Sequence, residues 1–199
     1  EMCIRDRLYK TCRSMYPCGT PFASDSTGDY TGVPQIQKAK ALLAEAGYKG
    51  EPIVLMRPTD QTTIGKLPLV AKQQLEQAGF KVDLQNMDWQ SLVSRRARKD
   101  APQAGGWNAF ITSWVAEDIQ NPLTMAMMNA RGDKGWFGWM DDAKLEEIKA
   151  RFAQATTDAD KKRIAEEAQL YAFQVGTHVP LGQYTVPAAV RKNCLLYTS

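Results

Sequence analysis

Residues 52–86 read PIVLMRPTDQTTIGKLPLVAKQQLEQAGFKVDLQN, and this stretch decides the fold. Pro52-Ile-Val-Leu-Met-Arg57 is a short apolar run of strand length. A loop carrying Thr59, Asp60 and Thr62 follows, and then Leu67, Val70, Ala71, Leu75 and Ala78 recur at helical spacing. Gly79 closes that helix. Beyond it, Phe80, Val82, Leu84 and Asn86 alternate with Lys81, Asp83 and Gln85, which is the period of a strand. Strand, helix and strand with short connections make a βαβ unit, so the two strands should run parallel with a right-handed crossover. The expected fold class is α/β.

The flanks extend the same pattern. Upstream, residues 20–34 are rich in Ser, Thr, Asp, Gly and Pro and read as a loop. Ile36, Ala39, Leu42, Leu43 and Ala46 then mark a helix stopping at Gly47. Downstream, Asp88 is placed to cap a helix from Trp89 to about Arg98. Leu92, Val93 and Ala97 are expected inward, with Arg95, Arg96, Arg98 and Lys99 largely outward. A Gly-containing loop leads to Trp107-Asn-Ala-Phe-Ile-Thr-Ser-Trp114, a further strand candidate. Asp141 and Thr157 are expected to cap two amphipathic helices, the second ending near Gly176. Val179 to Val186 reads as a final extended segment. No internal repeat or low-complexity tract interrupts the chain.

Composition narrows the function classes. Of 199 residues, 44% are hydrophobic and 24% charged, an ordinary globular balance that argues against disorder. The 25 basic against 22 acidic residues leave a net charge of +3, too small to argue for a nucleic-acid partner. No apolar run approaches the roughly 20 residues that span a bilayer. His178 is the only histidine, which removes His-rich metal sites and His-pair catalysis. No metal or cofactor is expected.

The ends of the chain stand apart. Glu1-Met-Cys-Ile-Arg-Asp-Arg7 and Cys194-Leu-Leu-Tyr-Thr-Ser199 lack periodicity continuous with their neighbours. They resemble peptides translated from sequencing-adapter DNA; the alternative is genuine frayed termini. Residues 1–8 and 194–199 are accordingly read as tails. Cys12 and Cys18 remain, separated by a Pro17-containing stretch that permits either a small disulfide loop or two reduced packing cysteines.

An enzyme reading finds little support. His178 has no Ser and Asp partners in a triad-like pattern, and no Gly-rich phosphate loop follows either early strand. Gly105-Gly106 precedes a strand, not a helix. The pairs Asp141-Asp142, Glu146-Glu147 and Glu166-Glu167 fit helix starts and solvent faces. The cluster Arg95, Arg96, Arg98 and Lys99 suits a solvated helix end better than a phosphate-binding face.

The carboxyl edge of the sheet is more informative. Arg57 ends one strand, Trp89 opens a helix just after another, and Trp114 closes a third ahead of Ala-Glu-Asp118. Ligands of open α/β sheets bind at this edge. Two indoles, a cation and an anion there suggest a cleft for a zwitterionic or elongated ligand.

Several motifs resemble the family 5 solute-binding proteins, the dipeptide and oligopeptide receptors of bacterial ABC importers. They are Thr11-Cys-Arg-Ser-Met-Tyr-Pro-Cys-Gly-Thr-Pro21, Ala39-Lys-Ala-Leu-Leu-Ala-Glu-Ala-Gly-Tyr48 and Gln85-Asn-Met-Asp-Trp-Gln-Ser-Leu-Val-Ser-Arg-Arg96. Gly106-Trp-Asn-Ala-Phe-Ile-Thr-Ser-Trp114, Trp136-Phe-Gly-Trp139 and Val179-Pro-Leu-Gly-Gln-Tyr184 carry it further. The likeness implies the C-terminal lobe of a two-lobe, class II periplasmic-binding-protein fold. Residues 9–178 would be the ligand-binding lobe, and 179–193 a segment returning across the hinge to the missing lobe.

Such receptors are not enzymes. They close on peptides and hand them to a membrane permease, which implies a periplasmic protein or a cell-surface lipoprotein, touching membrane only through the permease or a lipid anchor. A nickel chelate, haem, an opine or a sugar is the alternative ligand, and an enzyme fragment the remoter one. The resemblance further implies that Arg57 of Arg57-Pro58 pairs with a ligand carboxylate and Asp118 with a ligand ammonium. Trp89 and Trp114 match cleft tryptophans. Thr59 stands where a dipeptide receptor has Tyr, and the spacing from Trp114 to Asp118 is one residue longer. The implied oxidising compartment favours a Cys12–Cys18 disulfide.

Overall fold

A computed structural model describes residues 9–30 and 32–186. The two proposed tails, together with residues 187–193 of the return segment, lie outside the described residues. The chain divides into two compact units, one of residues 30–118 and 130–141, the other of 9–29, 119–129 and 142–186.

The first unit is built on β2 (Ile53–Pro58), α2 (Leu67–Gln77) and β3 (Val82–Met87), preceded by α1 (Ile36–Glu45). The strands β2 and β3 are parallel, Leu55 facing Leu84 and Arg57 facing Asn86. The continuous apolar run makes β2 the central strand: Val54, Leu55 and Met56 are buried. The alternating β3 lies at the edge of the sheet, with Val82 buried and Asp83 exposed. Gly47 and Gly79 take positive φ just past α1 and α2, as expected of helix stops. Leu42, Leu69 and Val70 on these helices remain exposed.

The third strand corrects the sequence reading. β4 covers only Ala109–Phe110 and pairs in parallel with Leu55 and Met56 of β2. Trp107 to Trp114 is not one strand, and parity explains why. The N–H groups of Ile53 and Thr59 donate toward β3, to Lys81 O at 2.7 Å and Met87 O at 2.9 Å. Alternate residues face the other side, and Val54 N–H donates to Asn108 Oδ1 at 2.8 Å. Pro58 shares that side and has no N–H, so β2 offers no donor to carry β4 past Phe110.

The helix α3 (Trp89–Arg95) is capped by Asp88, whose carboxylate accepts from Ser91 N–H at 2.9 Å. It ends three residues earlier than expected, leaving Ala97 beyond the helix and exposed. Arg95 and Arg96 are half-buried and not outward. Leu92 is fully buried, and positions three and four beyond it share its face. Residues 130–141 complete the unit through an Arg131–Asp141 bridge.

In the second unit, α4 (Ala143–Gln154) packs on α5 (Asp158–Val175). Leu145, Ile148 and Phe152 on α4 and Ile164, Ala165, Ala168 and Ala172 on α5 are buried at helical spacing. Thr157 caps α5, accepting from Asp160 N–H at 3.1 Å. The α4 cap is Asp142 and not Asp141: Asp142 Oδ1 accepts from Leu145 N–H at 2.8 Å. Asp141 pairs through its backbone with Arg131, and the helix begins one residue further on.

The residues before the first unit and after α5 also meet here. β1 (Tyr9–Lys10) pairs antiparallel with β5 (Gln183–Tyr184), shorter than the extended segment expected from Val179 to Val186. Cys12 and Cys18 form a disulfide with Cα atoms 5.8 Å apart. Cys18 N–H donates to Gln183 Oε1 at 3.0 Å, tying that loop to β5. Leu181 and Val186 are exposed.

Candidate functional site

The carboxyl ends of β2 and β3 bring three of the five candidate residues together. Arg57 is half-buried; its Nε donates to Gly65 O at 2.8 Å and its Nη1 to Asn86 Oδ1 at 3.2 Å. The loop can supply Gly65 O only because residue 65 is glycine. A Cβ there would stand 2.5 Å from Gln61 O and 2.6 Å from Pro58 O. Thr59 crosses to β3 with both its N–H and its hydroxyl, each donating to Met87 O. Asp60 Oδ1 accepts from Trp89 N–H at 2.9 Å.

The first turn of α3 thus meets two carboxylates, Asp60 accepting from the Trp89 amide and the preceding Asp88 from the Ser91 amide. The Ser91 hydroxyl and amide hold Asp88 below its ordinary carboxylate range. Trp89 itself is half-buried.

Trp114 and Asp118 follow β4, four and eight residues past Phe110. The Trp114 ring meets Trp136 with centroids 5.0 Å apart, and its Nε1 is buried with no hydrogen-bond partner among the described residues. Asp118 lies within a 3-10 turn, Ala116–Ile119, and is exposed. Its N–H donates to Val115 O at 3.1 Å, while its carboxylate accepts no hydrogen bond from the described residues. No hydrogen bond, ion pair or ring contact among the described residues joins Arg57, Thr59 or Trp89 to Trp114 or Asp118.

An aromatic cluster that sequence reasoning missed adjoins Trp114. Trp136 stacks near Phe137, with centroids 4.8 Å apart, and the Arg96 guanidinium lies over both rings. Trp107 donates Nε1 to Arg96 O at 3.0 Å and packs 6.1 Å from Trp139. Lys99 sits over Trp139 and pairs with Asp133. Arg96 stands four residues after Leu92, and that spacing was the available signal. The partners come from 40 residues further along the chain, in the motif Trp136-Phe-Gly-Trp139, and no local pattern announces their contact with Arg96.

The chemistry on offer is recognition. A half-buried cation, an exposed carboxylate and several indoles suit a ligand with charged ends and an apolar body. Among the described residues, no group of three His, Cys, Asp or Glu could hold a metal ion.

Arg57 and Trp89 lie at the carboxyl ends of parallel strands, the edge at which open α/β sheets generally bind ligands. The model of the bacterial extracellular solute-binding proteins, family 5 Middle, matches residues 6–136. The chain belongs to this family. It is 33% identical over 188 residues to the probable peptide ABC transporter periplasmic-binding protein y4tO of Sinorhizobium fredii, covering 94% of the chain and 35% of that protein. The chain thus spans about a third of that relative's length.

Solved structures repeat the fold. The substrate-binding protein CtaP of Listeria monocytogenes superposes with a TM-score of 0.75 at 16% identity, over 89% of this chain and 35% of that one. DppA of Helicobacter pylori, in complex with the peptide STSA, gives 0.70 at 16%, over 89% and 34%.

Proposed function

We propose that this chain is the ligand-contacting part of a substrate-binding component of an ABC importer. It captures peptides or similar small solutes and delivers them to a membrane permease, in the periplasm or at the cell surface. It catalyses no reaction. Residues 9–178 contribute the ligand-binding lobe, and 179–193 return toward the rest of the receptor. The observation that carries this reading is the relation to y4tO across 94% of the chain.

Within the site, Arg57 takes a ligand carboxylate and Asp118 a ligand ammonium. Trp89 and Trp114 supply apolar walls, with Thr59 at the rim. Arg57 supports its role by geometry, since two hydrogen bonds fix its guanidinium and leave the remaining donors for a ligand. Asp118 supports its own by exposure, its carboxylate being uncommitted among the described residues.

A thermal-shift screen with peptides, metal chelates and sugars tests the proposal. A ligand at 100 times its dissociation constant stabilises by about 2.7 kcal/mol, so a peptide hit is readily seen. Stabilisation by chelates or sugars alone would replace the peptide assignment. Steady turnover of any compound would overturn the receptor reading.

A further inference from the structure

At their carboxyl ends, β2 and β3 set two polar side chains against each other. The parallel register pairs Arg57 with Asn86, so both leave the sheet on one face. Arg57 Nη1 donates to Asn86 Oδ1 at 3.2 Å, and this contact lies at the surface. Asn86 is exposed and Arg57 half-buried, so solvent reaches both. The other bond of the guanidinium runs from Nε to Gly65 O at 2.8 Å. Arg98 and Lys99 have carboxylate partners, whereas Arg57 has none among the described residues.

The guanidinium decides how the Asn86 amide is turned. It carries donors only, so the amide offers its oxygen and keeps both Nδ2 N–H groups for another partner. Nδ2 makes no hydrogen bond among the described residues. An amide separates its oxygen from its nitrogen by about 2.3 Å, which keeps Nδ2 within about 5.5 Å of Arg57 Nη1. A single oxygen about 2.9 Å from each of two donors bridges up to about 5.8 Å. One carboxylate can therefore meet both residues.

We infer that Asn86 is a further ligand-binding residue of this site, its Nδ2 joining Arg57 in holding one carboxylate. The donor array carries a single positive charge and no acceptor, which suits a planar monoanion. A primary amide would set N–H against N–H, and a site built of donors rejects a ligand lacking the matching acceptor. Asn86 thus selects solutes with a free carboxylate. The inference deepens the receptor reading and rests on it for the source of that group. In a peptide the source is the C-terminus or an acidic side chain.

N-acetylalanine tests the contact without assuming a peptide, with N-acetylalaninamide as its control. In proton–nitrogen NMR the Asn86 side-chain amide is assigned by its loss in Asn86→Ala. Its protons should move downfield saturably with the acid and stay in place with the amide. Asn86→Ala should weaken N-acetylalanine about fivefold or more. Should Asn86→Ala fail to fold by circular dichroism, Asn86→Ser takes its place. An unmoved Asn86 signal, an equal response to the amide, or a folded variant that binds like the parent overturns the proposal.

Peptides then identify the source. Loss of trialanine affinity on Asn86→Ala assigns the C-terminus, and loss of Ala-Glu-Ala-amide affinity assigns the side chain. N-acetylalanine binding through Asn86 with no peptide binding keeps the contact and removes the peptide reading. Peptide binding indifferent to Asn86 removes the contact and keeps that reading.

Discussion

Gln169 accepts a hydrogen bond from the Ser14 hydroxyl at 2.8 Å across 155 residues of chain, with both side chains buried. The same Oε1 accepts from Met15 N–H at 2.9 Å, and Nε2 donates to Ser24 O at 2.9 Å and Ser26 O at 2.6 Å. Every hydrogen-bonding position of this amide is filled, so one side chain of α5 fixes the path of residues 14–26. Gln169→Leu keeps the volume and strands a buried N–H and two carbonyls. We expect it to destabilise the helical unit by about 3 kcal/mol, read from urea denaturation. Gln169→Glu should be at least as damaging, because it turns an acceptor toward the carbonyls of Ser24 and Ser26.

Gly65→Ala couples backbone geometry to the site. Its Cβ would press on Gln61 O and Pro58 O, so the loop must shift and carry Gly65 O away from Arg57. We expect a loss of about 2 kcal/mol or more in stability. Ligand affinity should fall as well, because Arg57 loses one of its two anchors. Calorimetry on folded Gly65→Ala separates the effects: unchanged affinity would show that the Gly65 bond does not position Arg57.

His178 should govern stability in mild acid. Burial pushes its pKa from 6.5 down to about 4, and Thr177 Oγ1 lies 2.9 Å from Nδ1. The folded state therefore resists a proton that the unfolded chain accepts below 6.5. Stability should fall as pH drops from 6.5 toward 4 and gain no further loss from this group below that. The change amounts to up to about 3 kcal/mol. Glu166, held low by the Ser26 and Ser24 hydroxyls, and Glu167, held low by Arg151, add losses only beneath the ordinary carboxylate range. His178→Gln should thus flatten the stability curve between pH 4.5 and 6.5 and leave its acid end in place.

The Cys12–Cys18 bridge closes a short loop whose Cys18 amide is tied to Gln183. Chain-entropy reasoning gives a contribution of about 2 kcal/mol. Alkylation before reduction, followed by mass spectrometry, should find no free thiol at either position. Reduction should lower the midpoint of urea denaturation.

What could be read from sequence divides along a physical line. The β2–α2–β3 unit was legible because burial imposes a period on residues close together in the chain. The Asp88 and Thr157 caps were legible because a cap binds an amide two or three residues on. β4 was overestimated because its length is limited by Pro58, a residue of another strand. Gln169 was silent, since a lone amide on a helix looks the same whether solvated or holding four partners. Arg96 was misread as solvated because its aromatic walls, Trp136 and Phe137, come from a distant segment. Asp141 and Asp142 are both good cap residues, and nothing local in the sequence chooses Asp142.

Asp118 carries the most exposed claim of the proposed site. A peptide brings an ammonium into a closing cleft, and leaving that charge without a partner costs several kcal/mol. The Asp118 carboxylate is exposed and uncommitted among the described residues, which suits an acceptor awaiting a ligand. Asp118→Ala should weaken a free peptide by roughly 2 kcal/mol, while an N-acetylated peptide, carrying no ammonium, should lose little. The rival role is local, a carboxylate serving the turn after Trp114. Its place within Ala116–Ile119, and not ahead of it, speaks against a cap. Calorimetry on the variant decides between them. Equal losses for free and acetylated peptides would mean that Asp118 supports the loop and that the ammonium is held elsewhere.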